Sequence, residues 1–106
     1  MPKYLIEASY TLEGVKGLLK DGGSKRREAV EAAVKSVGGK VEAVYFAFGD
    51  PDVVVILDAP NNVSAAAMSL ATNASGAVRL KTVVLLSPEE MDEAAKKSVS
   101  YRPPGR

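Results

Sequence analysis

The stretch that most constrains the fold is a short apolar run between a turn and a proline. It reads GDPDVVVILDAP and covers residues 49–60. A row of β-branched residues that does not alternate with polar ones is typical of a strand buried on both faces. The sequence therefore predicts that residues 53–57 form a central strand of a sheet, with other parts of the protein packed on each side.

The rest of the chain divides into strands and helices by its hydrophobic periodicity. Apolar and polar residues alternate, as in half-buried strands, in residues 3–10, 41–48 and 77–86. Helical spacing or composition predicts helices over residues 12–21, 24–37 and 63–74. A last helix is predicted from Ser87 to about Lys97, because Pro88 and the glutamates after it fit a capped helix start.

This order of elements predicts an α+β protein. It matches the ferredoxin-like β-α-β-β-α-β sandwich with an added C-terminal helix. We expect the first and third strands to be central and parallel. Right-handed crossovers would put the helices on one face of the sheet.

The helix over residues 24–37 has two further features. Its charged run at residues 25–28 predicts a solvated face, although Arg27 could instead reach inward to an anion or a carboxylate. The helix should end at Gly38 or Gly39, one of which is expected to adopt a left-handed conformation.

Composition excludes several kinds of site. The 106 residues suffice for one domain, predicted to cover residues 1–98 and to be followed by an extended or disordered tail, residues 99–106. The absence of cysteine and histidine removes disulfides, thiol nucleophiles and nearly all zinc chemistry. We therefore expect no metal site and no cofactor.

The charge and the hydropathy of the chain limit which partners and which location we expect for the protein. The net charge of +1 gives no strong attraction to nucleic acids or acidic membranes, and we expect neither as a partner. The N-terminus lacks the apolar core of a signal peptide, and no apolar run approaches the ~20 residues of a membrane helix. The expectation is a cytoplasmic protein of bacterial type.

The sheet face turned away from the helices is predicted to carry an apolar patch and the candidate binding residues. A patch of this extent should be covered by a second copy of the chain packing sheet to sheet. The pattern identifies no catalytic residue. The candidates for a ligand pocket are Glu7, Ser9, Phe46, Phe48, Asp52 and Arg79.

Each candidate also has a structural interpretation. Glu7 can form a cross-strand ion pair with Arg79 or Lys81. Alternatively, Glu7 or Asp52 can act as a proton acceptor in a pocket where Arg79 holds an anion. Asp52 is favoured as a turn residue that bonds to backbone amides. The two phenylalanines are favoured as the core of an interface over a platform for a flat ligand.

Several segments resemble the GYD family, over nearly the whole chain up to about Met91. They read YTLEGV at residues 10–15, GGKVE at 38–42, GDPDVVVI at 49–56 and GAVR at 76–79. The family is named for a Gly-(any)-Tyr-Asp turn, which Gly49 and Asp52 fit, with Pro51 at the tyrosine position. The resemblance implies a small ferredoxin-like, oligomeric protein related in shape to dimeric α/β-barrel proteins.

Two functions are compatible with these features. The first is a homo-oligomeric binding or assembly module, whose partners are copies of itself and a small-molecule ligand. The apolar open face and the lack of His, Cys and Trp favour it. The alternative is a cofactor-free small-molecule enzyme, of monooxygenase or isomerase type, in the dimeric α/β-barrel class. It rests on analogy of shape.

Overall fold

The computed structural model describes residues 1–47 and 49–106. It contains a four-stranded sheet and four helices, as expected for an α+β protein and consistent with a ferredoxin-like fold. The elements are β1 (Lys3–Tyr10), α1 (Leu12–Asp21), α2 (Gly23–Ser36), β2 (Lys40–Phe46), β3 (Val53–Asp58), α3 (Asn62–Ala74), β4 (Val78–Leu85) and α4 (Pro88–Lys96).

The strand order is β2-β3-β1-β4, so the first and third strands are central as predicted. All neighbouring strands pair antiparallel, however, and the prediction that β1 and β3 are parallel is wrong. After β1 the chain crosses over through the helices, so that β2 runs parallel to β1. The short hairpin then reverses it, so that β3 enters between them in the opposite direction.

The core lies between the sheet and the helices. On β3, Val53, Val55 and Leu57 are buried on the helix side, whereas Val54 and Ile56 on the other side are only half-buried. Tyr4 is 1% exposed, and its hydroxyl donates a 2.6 Å hydrogen bond to Asn62 Oδ1. The sequence predicted that β3 is buried on both faces, and the single chain buries it on one face.

A β-bulge in β2 changes which side chains face the helices. The register shifts between Val41 and Ala43, so that Val41 and Val44 both pack against the core. Phe46 then lies opposite the buried Val53, with its ring beside Gly23 of α2. The prediction that Phe46 lies on the open side is wrong, because one extra residue in a strand moves every later side chain to the other face.

Two glycines at positive φ delimit α2. Gly22, with φ of 83°, separates α1 from α2, and α2 begins at Gly23 without a side-chain cap, one residue before the predicted start at residue 24. Gly38, with φ of 81°, follows the last turn, which confirms that one glycine of the Gly38–Gly39 pair is left-handed.

Helix α4 lies outside the packed core. Its start is a complete capping box between Ser87 and Glu90, as the sequence predicts, but none of its residues is buried. The radius of gyration is 16.7 Å, against about 13 Å for a compact domain of this length. No helix or strand follows Lys96. The end of the chain therefore extends away from the sheet.

We predict that deleting residues 99–106 leaves the domain folded, because the core contains none of them. The melting temperature, followed by circular dichroism, should stay within about a degree of the wild-type value. The control removes residues 1–8, most of the central strand β1, and should abolish the transition. A clear loss of stability or a smaller oligomer after the tail deletion would mean that the tail docks on a neighbour.

Candidate functional site

The strand side chains that point away from the helices form a surface that we call the open face. Its middle is an apolar band, in which Leu5 of β1 lies between Ile56 of β3 and Val83 of β4. Ala43 of β2 lies opposite Ile56 and extends the band. Strand pairing thus gathers aliphatic side chains from all four strands into one row.

Charged groups lie on both sides of this band, toward the two ends of the strands. At one end Lys3 Nζ donates to Glu42 Oε1 at 2.7 Å and to Asp58 Oδ1 at 3.1 Å. These hydrogen bonds, the one to Glu42 first, raise the pKa of the Lys3 amine. At the other end Glu7 lies opposite Lys81, and Ser9 lies opposite Arg79. We call this second end the polar end.

An open groove of about 720 Å³ covers the polar end. Of the sequence candidates, Glu7, Ser9, Asp52 and Arg79 line it together. Phe46 does not, because of the β2 bulge, and Phe48 lies outside the described residues. The hairpin between β2 and β3 forms one wall of the groove. The full lining is Glu7, Ser9, Gly49, Asp50, Pro51, Asp52, Asn73, Arg79, Leu80 and Lys81.

Asp52 fixes the hairpin to the end of β1. Its Oδ2 accepts a 2.8 Å hydrogen bond from the Tyr10 backbone N–H, and its own N–H donates to the Ala8 carbonyl at 2.9 Å. Its carbonyl accepts from the Ala47 N–H at 2.8 Å. The carboxylate therefore has the structural role favoured from the sequence, bonding to a backbone amide.

The hairpin residue Asp50 is a site residue that the sequence reasoning did not select. Its Oδ1 accepts a 3.0 Å hydrogen bond from Ser9 Oγ, which joins the loop to the open face. Its place in the GDPD turn was visible, but the pairing with Ser9 depends on how the loop folds over β1. Sequence spacing alone carries no sign of that contact.

The ion pair expected between Glu7 and Arg79 or Lys81 is not formed within the described part of the chain. Glu7 is half-buried, whereas Arg79 and Lys81 are exposed. Long cationic side chains in water gain little energy from a surface ion pair. The entropy lost in holding the two side chains in place offsets that small gain. Two cations and one carboxylate in the groove are thus free to contact a ligand.

Comparison with known families places the chain beside a described domain. A sequence model of the GYD domain matches residues 4–95, which confirms the resemblance expected from the sequence. No curated protein matched the chain. Within residues 1–47 and 49–106, no helix has the length and apolar character needed to span a membrane. The same residues contain no cluster of acidic side chains arranged to hold a metal ion.

Proposed function

Since the chain belongs to the GYD domain family, whose membership alone assigns no activity, we propose a function from its open face. The protein acts as a homo-oligomeric binding module. Two copies pack sheet to sheet through the apolar band, in an assembly of the dimeric α/β-barrel type. The polar end then forms a pocket between them. The observation that carries this proposal is the division of one sheet face into an apolar band and a polar groove.

The apolar band supplies the driving force for assembly. Val83 is 40% exposed, and Leu5, Val54 and Ile56 are half-buried in the single chain. Complete burial of such a side chain contributes roughly 1.5–3 kcal/mol. Since these side chains are already half-covered, each adds about half of that, before the entropy of association is subtracted. Several residues from each copy are therefore needed, and the band provides them.

The groove supplies the binding chemistry. Arg79 and Lys81 offer unpaired donors and positive charge on β4, and Glu7 offers an unpaired acceptor on β1. A second sheet over the band would close the open side of this groove and exclude part of its water. Such a pocket suits a small polar ligand with an anionic group held by Arg79.

The enzyme alternative draws on one observation, the unpaired carboxylate of Glu7 in the groove. In a closed pocket this carboxylate could accept a proton from a ligand that Arg79 holds by an anionic group, without a cofactor. Asp52 is less suited to that role because it already accepts from the Tyr10 N–H. A ligand that is converted by the wild type but only bound by Glu7→Gln would favour the enzyme over the binding module.

The test is the mass of the wild-type protein in solution at low micromolar concentration. Light scattering should give at least twice the 11.1 kDa of the chain. Native mass spectrometry of protein purified from its own host should then show an additional small mass on the oligomer. A monomer of 11.1 kDa in light scattering would overturn the assembly, and with it the pocket between copies.

A further inference from the structure

A second cavity lies on the other side of the sheet, between helices α2 and α3. Its volume is about 100 Å³, and it is separate from the groove at the polar end. The floor includes Ile6 of β1 and Val55 of β3, and the walls include Ala33 of α2 and Met68 of α3. Apolar side chains dominate the lining, so water in the cavity would find few partners.

Small side chains keep this cavity open. Ala29 and Ala33, one helical turn apart on α2, both line it and both remain exposed. A larger aliphatic side chain at either position would close the gap toward Met68 of α3. The cavity is therefore a gap between α2 and α3, with a mouth toward solvent.

Arg26 is the charged residue of this cavity. Its Nε is buried and has no hydrogen-bond partner among the described residues. No acidic side chain lines the cavity. The neighbouring Arg27 points elsewhere, is 60% exposed and lies 3.8 Å from Glu31. The charge run was predicted to form a solvated face, with an inward-reaching Arg27 as the alternative; the arginine that reaches inward is Arg26.

A buried donor without a partner requires an explanation. Burying a polar group without a hydrogen bond is costly, and the great majority of buried polar groups in proteins have a partner. A guanidinium presents a planar set of donors that matches a carboxylate. The nearby Thr72 hydroxyl cannot add a donor, because it already donates to the Met68 carbonyl at 2.8 Å.

We propose that this cavity binds a small apolar carboxylate. The carboxylate accepts from Arg26 Nε–H, and the apolar body lies between Ala33, Met68 and Val55. A short alkyl chain suits the volume of about 100 Å³, whereas a phenyl ring can enter only in part through the mouth, since an apolar cavity that holds benzene measures roughly 150 Å³. The proposal is independent of the chemistry of the groove, because Arg26 does not line the groove and Glu7, Arg79 and Lys81 do not line this cavity, although Leu80 borders both sites.

The test is an NMR titration of the full chain with benzoate and butanoate. At least one should shift the signals of Arg26 Nε–H and of the Ala33 and Val55 methyl groups, in preference to signals at Arg79. The matching neutral amide, benzamide or butanamide, should bind about tenfold more weakly, since its carbonyl can still accept from Arg26 but carries no negative charge to strengthen the hydrogen bond.

Two variants and a matched control make the assignment specific. Arg26→Gln should weaken carboxylate binding at least about tenfold, while Arg27→Gln on the exposed side should leave it unchanged. If Arg26→Gln does not fold, Ala33→Leu serves instead, because it fills the cavity and should abolish binding of acid and amide alike. Equal binding to wild type and variant, shifts confined to the groove, or no shift with either acid would overturn the proposal.

Discussion

Replacing Ile56 with aspartate should dissociate the proposed oligomer into monomers. Ile56 lies on the central strand β3, between Leu5 of β1 and Ala43 of β2, in the middle of the apolar band. In the sheet-to-sheet dimer a carboxylate there would be buried without a partner, at a cost of several kcal/mol from each copy. In the monomer the position is only half-buried, so the charge can reach water.

Light scattering should therefore show the mass of a single chain for this variant, with circular dichroism reporting how much of it remains folded. The control is Leu70→Asp, which introduces the same charge at an apolar residue of α3 that is 73% exposed. It should leave both mass and stability nearly unchanged. An Ile56→Asp protein with the wild-type mass and melting temperature would exclude the open face as the interface.

The second large effect is expected at Gly14, where a side chain has no room. Gly14 is buried in the first turn of α1, directly against the backbone carbonyl of Ala77. That carbonyl accepts hydrogen bonds from the Thr11 N–H at 3.0 Å and from Thr11 Oγ1 at 3.1 Å, so it is held in place. A Cβ on Gly14 would overlap it and also lie 2.9 Å from Tyr10 Cδ1.

Gly14→Ala should thus destabilise the fold by roughly 1–3 kcal/mol or more, as overpacking does. Each kcal/mol corresponds to about 4–8 °C in melting temperature for a domain near this size. The control is Gly17→Ala, one turn later in the same helix, where a Cβ meets no atom within 4 Å. It should stabilise by about 0.5–1 kcal/mol, because alanine is the better helix former. Effects of the same sign would contradict the close approach at Gly14.

Features that depend on the local sequence pattern were predictable. The period-two strands, the apolar run of β3 and the capping box at Ser87 each depend on neighbours in the sequence, and the structure contains all of them. The apolar middle of the open face followed from the same alternation. The same alternation placed Glu7, Ser9 and Arg79 on that face, and the strand pairing then brings them together with Asp52 in one groove.

Features that depend on tertiary geometry were missed. The bulge in β2 has no marker in its residues, and it reversed the face assigned to Phe46. The arginine that reaches inward is Arg26, one position before Arg27, the alternative that the sequence offered. One position on a helix is a rotation of about 100°. The direction of β3 beside β1 was a matter of topology that strand periodicity does not encode.

The bulge in β2 also bears on how readily the edge of the sheet can pair with another strand. β2 is an edge strand, and an edge with a regular ladder is a template for pairing with any other exposed strand. The register shift between Val41 and Ala43 interrupts that ladder, and Lys3 and Glu42 place an ion pair beside it. Open-ended growth of the sheet into fibrils is disfavoured at this edge, whereas closed pairing through a sheet face remains available.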